Sequence, residues 1–295
     1  MKILITGCNG FLGANLVEYF MGRGYTVCGT DLHPVPYRLD LSYMPGDLSD
    51  PQFTAMLIDK FNPECVINTI ALVNLDLCEN DKDKAYRVNV ATTANLASIL
   101  NNSVRLVQIS TDHLFAGDRS NYNENDPPNP VNNYGLTKLE AENEALKHNN
   151  TIVARTNFYG WSRSLHAPTF AEWLYNSLKD KTPITLFANY YFTPIEVTYL
   201  AGALESVINS DTTGVLNIVG TQRCSKYEFG MKMAEVFGLD SSNVTAGKID
   251  NSSLETRRQA DLSLSVEKFQ CLFDYKLPDM IEGLKRLKEN LKKNA

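Results

Sequence analysis

Features that would mark several other protein classes are scarce in this sequence of 295 residues. No apolar run approaches the ~20 residues that a membrane-spanning helix requires, and the opening MKILITG is not typical of a signal peptide. The formal net charge of −6 argues against a nucleic-acid binder. Repeats, low-complexity tracts and flexible linkers are also missing. We therefore expect a cytoplasmic globular protein whose partner is neither a membrane nor a nucleic acid.

The six cysteines carry no metal or disulfide signature. None forms a Cys-x-x-Cys pair, and none clusters with histidine at zinc-finger spacing. In a reducing compartment such residues are usually buried free thiols. A catalytic cysteine is the weaker alternative, because no partner histidine is indicated. We expect free thiols and no metal site, the positions being Cys8, Cys28, Cys65, Cys78, Cys224 and Cys271.

Short apolar runs alternate with helical patterns in the first half of the chain. This alternation predicts a parallel sheet with helices on both faces, and strands buried on both faces read as continuous apolar runs. The predicted strands are Lys2–Thr6, Tyr25–Thr30, Cys65–Ile70, Arg105–Ser110 and TIVART at 151–156. Helices are predicted for FLGANLVEYFMG, for DKAYRVNVATTANLASIL and around YGLTK. The fold class is therefore α/β, a Rossmann-like doubly wound parallel sheet.

TGCNGFLG joins the first strand to the first helix and contains Gly7, Gly10 and Gly13. Glycines here permit a tight turn and close approach of a pyrophosphate, and the helix N-terminus offers free N–H groups. Asp31 ends the second strand, where a carboxylate binds the adenosine ribose and repels a 2′-phosphate. The pattern predicts a site that favours NAD(H) and leaves NADP(H) open, since Arg38 could fold back. A merely tight turn and a strand-end turn residue are the structural alternatives.

The less regular second half predicts a smaller lobe packed against the first. Its helical patterns include EVTYLAGALESVIN, KYEFGMKMAEVFG and the charged C-terminal segment, and GVLNIVG reads as a strand. We place a dinucleotide-binding domain at residues 1–160, with a returning segment near 188–218. The substrate-binding lobe then comprises residues 161–187 and 219–295.

YGLTK places Tyr134 and Lys138 on one face of a predicted helix. STDHLFAG begins where the strand Arg105–Ser110 ends, so Thr111 should meet that pair at the carboxyl edge of the sheet. A neighbouring cation stabilises a phenolate and lowers the phenol pKa from ~10. The two side chains are either an ordinary exposed pair or an acid and the cation that tunes it.

These segments resemble the extended short-chain dehydrogenases/reductases, and within them the dTDP-4-dehydrorhamnose reductase family over nearly the whole chain. The likeness rests on INTIALVNLDLCENDKDKAYRVN, STDHLFAG, YGLTK, RTNFYG, FTPIEVTYLAGAL and GVLNIVGTQRCSKYEFG. It implies an NAD(P)H-dependent reductase of a nucleotide-linked 4-keto-6-deoxy sugar, in the synthesis of a polysaccharide or another glycoconjugate. By this resemblance Tyr134 is the general acid, Lys138 holds the nicotinamide ribose, and Thr111 bonds the reacting oxygen.

The same resemblance implies the remaining contacts. For the cofactor they are Gly7, Gly10, Phe11, Leu12, Gly13, Asp31, Asp47, Leu48, Ala71, Leu72, Asn89, Tyr134 and Lys138. For the nucleotide-sugar substrate they are Thr111, Asp112, His113, Asn157, Arg163 and Arg258. The alternatives are a helix cap for Asp47, a surface ion pair for either arginine, and a packed side chain for His113. A homodimer is an assembly that the sequence permits.

Three departures from the family pattern flank the sugar and leave its identity open. His113 replaces a tyrosine, Gln259 replaces the proline after Arg258, and Asn157 with Phe158 replaces an aromatic pair. A 4,6-dehydratase is disfavoured because a histidine, not a glutamate, follows Asp112. A 4-epimerase with retained NAD and a non-catalytic regulatory subunit are the remaining alternatives.

Overall fold

One parallel β-sheet organises the computed structural model, which describes residues 1–163, 168–250 and 256–294. The strands are β1 Lys2–Thr6, β2 Thr26–Thr30, β3 Ser42–Tyr43, β4 Cys65–Asn68, β5 Arg105–Thr111, β6 Thr151–Thr156, β7 Phe158–Tyr159, β8 Ile184–Phe187, β9 Tyr191–Phe192, β10 Ile195–Glu196, β11 Gly214–Asn217, β12 Cys224–Ser225 and β13 Val244–Gly247. Seven strands form the sheet in the order β11-β6-β5-β4-β1-β2-β3, and every neighbouring pair is parallel. The predicted Rossmann-like fold is confirmed, with β1 at the point where the strand order reverses.

Helices cover both faces of the sheet. They are α1 Phe11–Gly22, α2 Pro51–Phe61, α3 Leu75–Asn80, α4 Lys82–Tyr86, α5 Thr92–Ile99, α6 Asn133–Ala145, α7 Phe170–Lys179, α8 Val197–Ile208, α9 Lys226–Phe237, α10 Glu267–Leu272 and α11 Met280–Asn294. On one face, Leu16 and Phe20 of α1 pack with Leu204 of α8. On the other, Leu57 of α2 and Leu96 of α5 belong to a second core. Full burial of each such side chain stabilises the fold by about 1.5–3 kcal/mol.

The long helix predicted for DKAYRVNVATTANLASIL is interrupted. A π-helical turn, Arg87–Ala91, joins α4 to α5. Within this turn the buried Asn89 amide accepts a hydrogen bond from Leu72 N–H at 2.7 Å and donates to Leu72 O at 3.2 Å. Asn89 Nδ2 also donates to Thr137 Oγ1 at 3.0 Å. The turn thus fixes the loop after β4 against α6. These are tertiary contacts, so the helical periodicity of the sequence could not predict the turn.

A smaller lobe has its own core. Strands β8 and β13 pair in parallel, and α7, α9 and α11 pack around them, burying Leu174, Leu186, Phe229, Met233 and Leu284. The sequence did not predict α2, β8 or β13. Strand β13 is four residues long and mostly exposed, so it has no apolar run to detect. The predicted domain boundaries stay a prediction.

A buried ion pair fastens α6 to the sheet. Arg155 of β6 binds Glu142 of α6 through two nitrogens, with Nη2 to Oε2 at 2.8 Å and Nε to Oε1 at 3.0 Å. Ser110 Oγ of β5 donates to the same carboxylate at 2.5 Å. Both charged side chains are almost fully buried, at 4% and 2% exposure. Helix α6 therefore has one position against β5 and β6, and Tyr134 and Lys138 are positioned with it.

Replacing one partner of this pair tests its role. We expect Arg155→Met to lower the free energy of unfolding by about 3–5 kcal/mol, because Glu142 is left buried without its counter-ion. The control is Lys147→Met, which removes the exposed pair with Glu144 and should cost no more than about 1 kcal/mol. Urea denaturation measures both. Equal stability of the two variants would contradict the account.

Gly13 has no room for a side chain. A Cβ there would overlap Gly7 O and lie 2.8 Å from Cys8 Cα, both of them backbone atoms. We expect Gly13→Ala to destabilise the protein by about 1–3 kcal/mol through overpacking of the β1–α1 turn. The matched control on the same helix is Gly22→Ala, where no described atom lies within 4 Å of the added carbon. Urea denaturation compares them, and an unchanged midpoint for Gly13→Ala would refute the packing argument.

Candidate active site

A cavity of about 320 Å³ opens at the carboxyl ends of β4, β5 and β6. It brings together nine of the nineteen residues that the sequence assigns to the cofactor and the substrate, including all three predicted catalytic residues. The predicted residues that line it are Leu12, Ala71, Thr111, Asp112, His113, Tyr134, Lys138, Asn157 and Arg258. Thr69, Ser110, Thr156, Phe158 and Tyr190 are among the others. We call this space the first cavity.

The N-terminus of α6 carries Tyr134 into the first cavity. The Asn132 side chain caps the helix by accepting a hydrogen bond from Gly135 N–H at 2.9 Å. A Cβ at Gly135 would overlap His113 O, so a glycine lets the helix approach the end of β5. Tyr134 is 8% exposed, and Thr111 is close enough to affect the pKa of its phenol. The phenol and the threonine hydroxyl therefore face the same point.

Burial outweighs the expected lowering of the Tyr134 pKa by Lys138. It raises the pKa of Tyr134 above its ordinary value, and a polar interaction with Thr111 opposes that shift only in part. Burial also lowers the pKa of Lys138 to about 8, although Glu142 opposes this. Lys138 Nζ donates to Ile109 O at 2.7 Å. Tyr134 is thus a protonated phenol at neutral pH, the form that a general acid requires.

A polar cluster adjoins the Thr111 hydroxyl. Asp112 Oδ2 accepts a hydrogen bond from Asn157 Nδ2 at 2.5 Å, and Asp112 Oδ1 accepts one from Thr111 Oγ1 at 3.2 Å. The His113 ring meets the Tyr134 ring edge-on at 5.5 Å between centroids. Burial lowers the pKa of His113, so the ring is neutral. His113 is therefore both packed and part of the cavity lining, and the two readings of this residue are compatible.

Gln259 fixes the segment after β5 from the opposite side. Its Nε2 donates to His113 O at 3.1 Å. A Cβ on Gly117 would lie 2.5 Å from Gln259 Cβ, so the two segments are in close contact. Where a proline is expected after Arg258, this chain thus has an amide that bonds the backbone beside the cavity.

The β1–α1 turn fits a dinucleotide. Gly7 adopts φ +66°, a conformation that favours glycine, and no side chain caps the N-terminus of α1. Asp31 Oδ2 accepts a hydrogen bond from Asn9 N–H at 3.2 Å, and Oδ1 accepts one from His33 N–H at 3.2 Å. Asp31 thus stands beside the glycine turn. Arg38 does not fold back toward it, because its guanidinium is bound by Glu18 and Asp40.

The other predicted cofactor residues make contacts within the protein itself. Asp47 is exposed and accepts a hydrogen bond from Ser49 N–H at 2.9 Å, so it shapes the turn before α2. The helix cap is Asp50, whose side chain accepts from Gln52 N–H. Leu48 is 2% exposed and belongs to the core. Leu72 is held by Asn89, as described above.

The two predicted arginines have different surroundings. Arg258 lines the first cavity and also a second cavity of about 490 Å³. Arg163 is exposed and lines neither. Burial raises the pKa of Tyr37 and the charge of Arg163 opposes that rise, so Arg163 lies near the loop after β2.

Sequence reasoning missed the residues of the second cavity. They are Phe170, Trp173, Thr185, Leu186, Phe187, Tyr190, Lys226 and Ile249. Arg258, which the sequence predicted, also lines this cavity. Tyr190 and Arg258 belong to both linings, so the two cavities adjoin. The available signal was the capping box formed by Ser225 and Glu228, which fixes the start of α9 and places Lys226 first in the helix.

Two absences hold for the described residues. Within 1–163, 168–250 and 256–294 no cluster of three or more histidine, cysteine, aspartate or glutamate side chains could hold a metal ion. No helix in these ranges is both long and apolar enough to cross a membrane.

Comparison with known proteins gives full-length matches. The chain is 25% identical over 88% of its length to the probable low-salt glycan biosynthesis reductase Agl14 of Haloferax volcanii, of which it covers 88%. It is 27% identical to the dTDP-4-dehydrorhamnose reductase of Aggregatibacter actinomycetemcomitans, covering 97% of this chain and 98% of that one. It is also 25% identical to the methionine adenosyltransferase 2 subunit beta of Danio rerio, over 90% and 86%.

Solved structures agree with the fold. A dTDP-4-dehydrorhamnose reductase from Bacillus anthracis, in complex with NADP, superposes with a TM-score of 0.87 at 24% identity, covering 98% of this chain and 99% of that one. A Clostridium acetobutylicum dTDP-4-dehydrorhamnose reductase gives 0.85 at 27% identity, covering 99% and 100%. The family model described as "RmlD substrate binding domain" matches residues 1–293. The chain therefore belongs to the RmlD substrate binding domain family.

Proposed function

We propose that this protein is an NAD(P)H-dependent reductase of a nucleotide-linked 4-keto-6-deoxy sugar. The observation that carries the proposal is the meeting of Thr111, Tyr134 and Lys138 in one cavity beside an uncapped helix N-terminus. The dTDP-4-dehydrorhamnose reductase of Aggregatibacter actinomycetemcomitans, similar over 97% of this chain, supports the substrate class.

The side chains of the first cavity suit reduction of a carbonyl. A bound nicotinamide cofactor supplies the hydride. Thr111 and Tyr134 hydrogen-bond the carbonyl oxygen, and the Tyr134 phenol donates its proton to that oxygen. Lys138 holds the cofactor ribose, while its bond to Ile109 O fixes its ammonium against β5. Holding both reactants in attack geometry supplies a large part of the rate enhancement.

The cofactor contacts follow the β1–α1 turn. Gly7, Gly10 and Gly13 leave space for the pyrophosphate, and the N–H groups of Phe11 and Leu12 face it. Asp31 accepts hydrogen bonds from the adenosine ribose hydroxyls and repels a 2′-phosphate, which favours NAD(H) over NADP(H). The loop residues Ala71 and Leu72 contact the nicotinamide side, with Asn89 holding that loop. Asp47 and Leu48 border the adenine.

The two adjoining cavities suit the two ends of a nucleotide sugar. The sugar lies in the first cavity, where Asp112, His113 and Asn157 contact its hydroxyls. The nucleotide lies in the second, whose lining includes Phe170, Trp173, Phe187 and Tyr190. Arg258, common to both, binds the diphosphate between them. Arg163 is a further candidate for a diphosphate contact, but it is exposed and lines neither cavity.

Two other functions are distinguished from the reductase by whether the protein consumes its cofactor. A 4-epimerase with retained NAD uses the same Thr, Tyr and Lys set but recycles its cofactor. A regulatory subunit is favoured by the likeness to the methionine adenosyltransferase 2 subunit beta of Danio rerio. The complete Thr111, Tyr134 and Lys138 set favours catalysis over both a structural and a regulatory role.

Two wider expectations accompany the proposal. Six free thiols, five of them buried, fit a cytoplasmic enzyme. A homodimer stays a prediction, which light scattering of the purified protein would decide.

Removing the phenol oxygen tests the proposed acid. We expect Tyr134→Phe to lower kcat by at least about 100-fold, because general acid catalysis contributes ~10²–10⁴-fold, while NADH binding is retained. The assay follows NADH and NADPH absorbance with dTDP-, GDP-, UDP- and CDP-linked 4-keto-6-deoxy sugars. Tyr86→Phe, at an exposed tyrosine, is the control. Undiminished turnover in Tyr134→Phe would refute the assignment, and absence of cofactor oxidation with every sugar would favour the epimerase or the subunit.

Neutralising Asp31 tests the cofactor preference. The wild-type protein should have a higher kcat/KM with NADH than with NADPH. Asp31→Asn keeps an oxygen for one of the two N–H groups of Asn9 and His33 and removes the charge, so we expect the NADH-to-NADPH ratio to fall at least about tenfold. Asp59→Asn, at an exposed carboxylate of α2, should leave the ratio unchanged. A wild-type preference for NADPH, or an unaltered ratio in Asp31→Asn, would contradict the role of Asp31.

A further inference from the structure

Lys226 is an unusual cation in the second cavity. Its Nζ lies 3.4 Å from the centroid of the Phe192 ring, 4.4 Å from Phe170 and 5.7 Å from Tyr190. Among the described residues no carboxylate forms an ion pair with it, whereas Lys232 of the same helix pairs with Glu235. Aromatic faces attract a cation and offset part of its desolvation. Within residues 1–163, 168–250 and 256–294, no protein group accepts a hydrogen bond from the Lys226 ammonium.

The charged side chains in the described lining of the second cavity are both positive. Its described lining contains two cations, Lys226 and Arg258, and no acidic residue. The carboxylate that favours the charged form of Lys226 is Asp112. Asp112 lines the first cavity and is already bonded by Asn157 and Thr111. Both cations also lower the pKa of His113, so their fields overlap beside Tyr190. A lining of this kind attracts an anion.

We propose that Lys226 binds a phosphate of the substrate's diphosphate, as a second cation beside Arg258 where the two cavities join. The proposal rests on the proposed function for the identity of the anion, and it deepens that function by naming the residue. The aromatic rings hold the ammonium in place before the ligand arrives, so little side-chain entropy is lost on binding. Lys226 is thus a specificity residue that distinguishes a nucleoside diphosphate from an uncharged nucleoside.

Protonation provides a second readout. Burial lowers the pKa of Lys226 to about 8, while Asp112 and Cys224 oppose the shift. Of the other groups that face this region, His113 has a lowered pKa and Tyr190 a raised one, and both stay neutral. Arg258 is the other cation of the lining. A bound phosphate favours the charged amine, so binding at pH 8.5 should take up protons. Calorimetry in two buffers of different ionisation enthalpy measures that uptake.

Nucleoside diphosphates are the probes for the test. Calorimetric titration with dTDP, UDP, GDP and CDP, and with the four free nucleosides, compares wild type with Lys226→Gln, Lys226→Arg and the control Lys232→Gln. We expect Lys226→Gln to weaken binding of the preferred diphosphate about ten- to hundredfold, as for loss of a hydrogen bond to a charged group. Nucleoside binding should not change, proton uptake should disappear, and Lys226→Arg should recover most of the affinity.

The outcomes separate this proposal from the proposed function. Unchanged diphosphate affinity in Lys226→Gln, an equal loss for diphosphate and nucleoside, or no diphosphate binding by wild type would each overturn the role of Lys226. Lys226-dependent diphosphate binding without reduction of any sugar nucleotide would uphold the phosphate site and reject the reductase. A kinetic assay adds a further check, since the variant should raise KM for the sugar nucleotide while kcat changes little.

Discussion

The buried ion pair between Glu142 and Arg155 is the contact on which the site most depends. It joins α6 to β6, and through Ser110 to β5, with both charges removed from water. Such a pair has a narrow geometry, because displacing either partner strands a buried charge. Glu142 lies one helical turn beyond Lys138 and supports the charged form of that amine. One interaction therefore fixes the position of α6 and influences the electrostatics of Lys138.

Under the proposed function, each cavity binds the part of the nucleotide sugar that matches its charge and surface. The first is polar, with Asp112 engaged by its neighbours and a protonated Tyr134 facing Thr111. The second is aromatic and positively charged. A nucleotide sugar has the matching order of groups, a polar sugar, a diphosphate and a flat base. The fold produces this order by placing the end of β5 against a lobe that contributes α7 and α9.

Local sequence patterns predicted what depends on neighbours in the chain. Six of the seven strands of the sheet, α1, the glycine turn and the Tyr134–Lys138 face follow from periodicity and backbone freedom. The two-residue strand β3 is too short to show a pattern. Periodicity could not reveal the π-helical turn, because the hydrogen bonds between Asn89 and Leu72 that accompany it join segments distant in the sequence. The second cavity was also beyond reach, since Phe170, Tyr190 and Lys226 are far apart in sequence. The shift of the Tyr134 pKa depends on burial, which a motif does not report.

Hydride transfer to the sugar is the central claim, and isotopic labelling tests it most directly. The protein would be incubated with NADH or NADPH carrying deuterium at the transferable position of the nicotinamide and with the 4-keto sugar nucleotide that it accepts. The account predicts one deuterium at C4 of the product sugar for each cofactor oxidised. Product without deuterium, or sugar conversion without net cofactor oxidation, would contradict it.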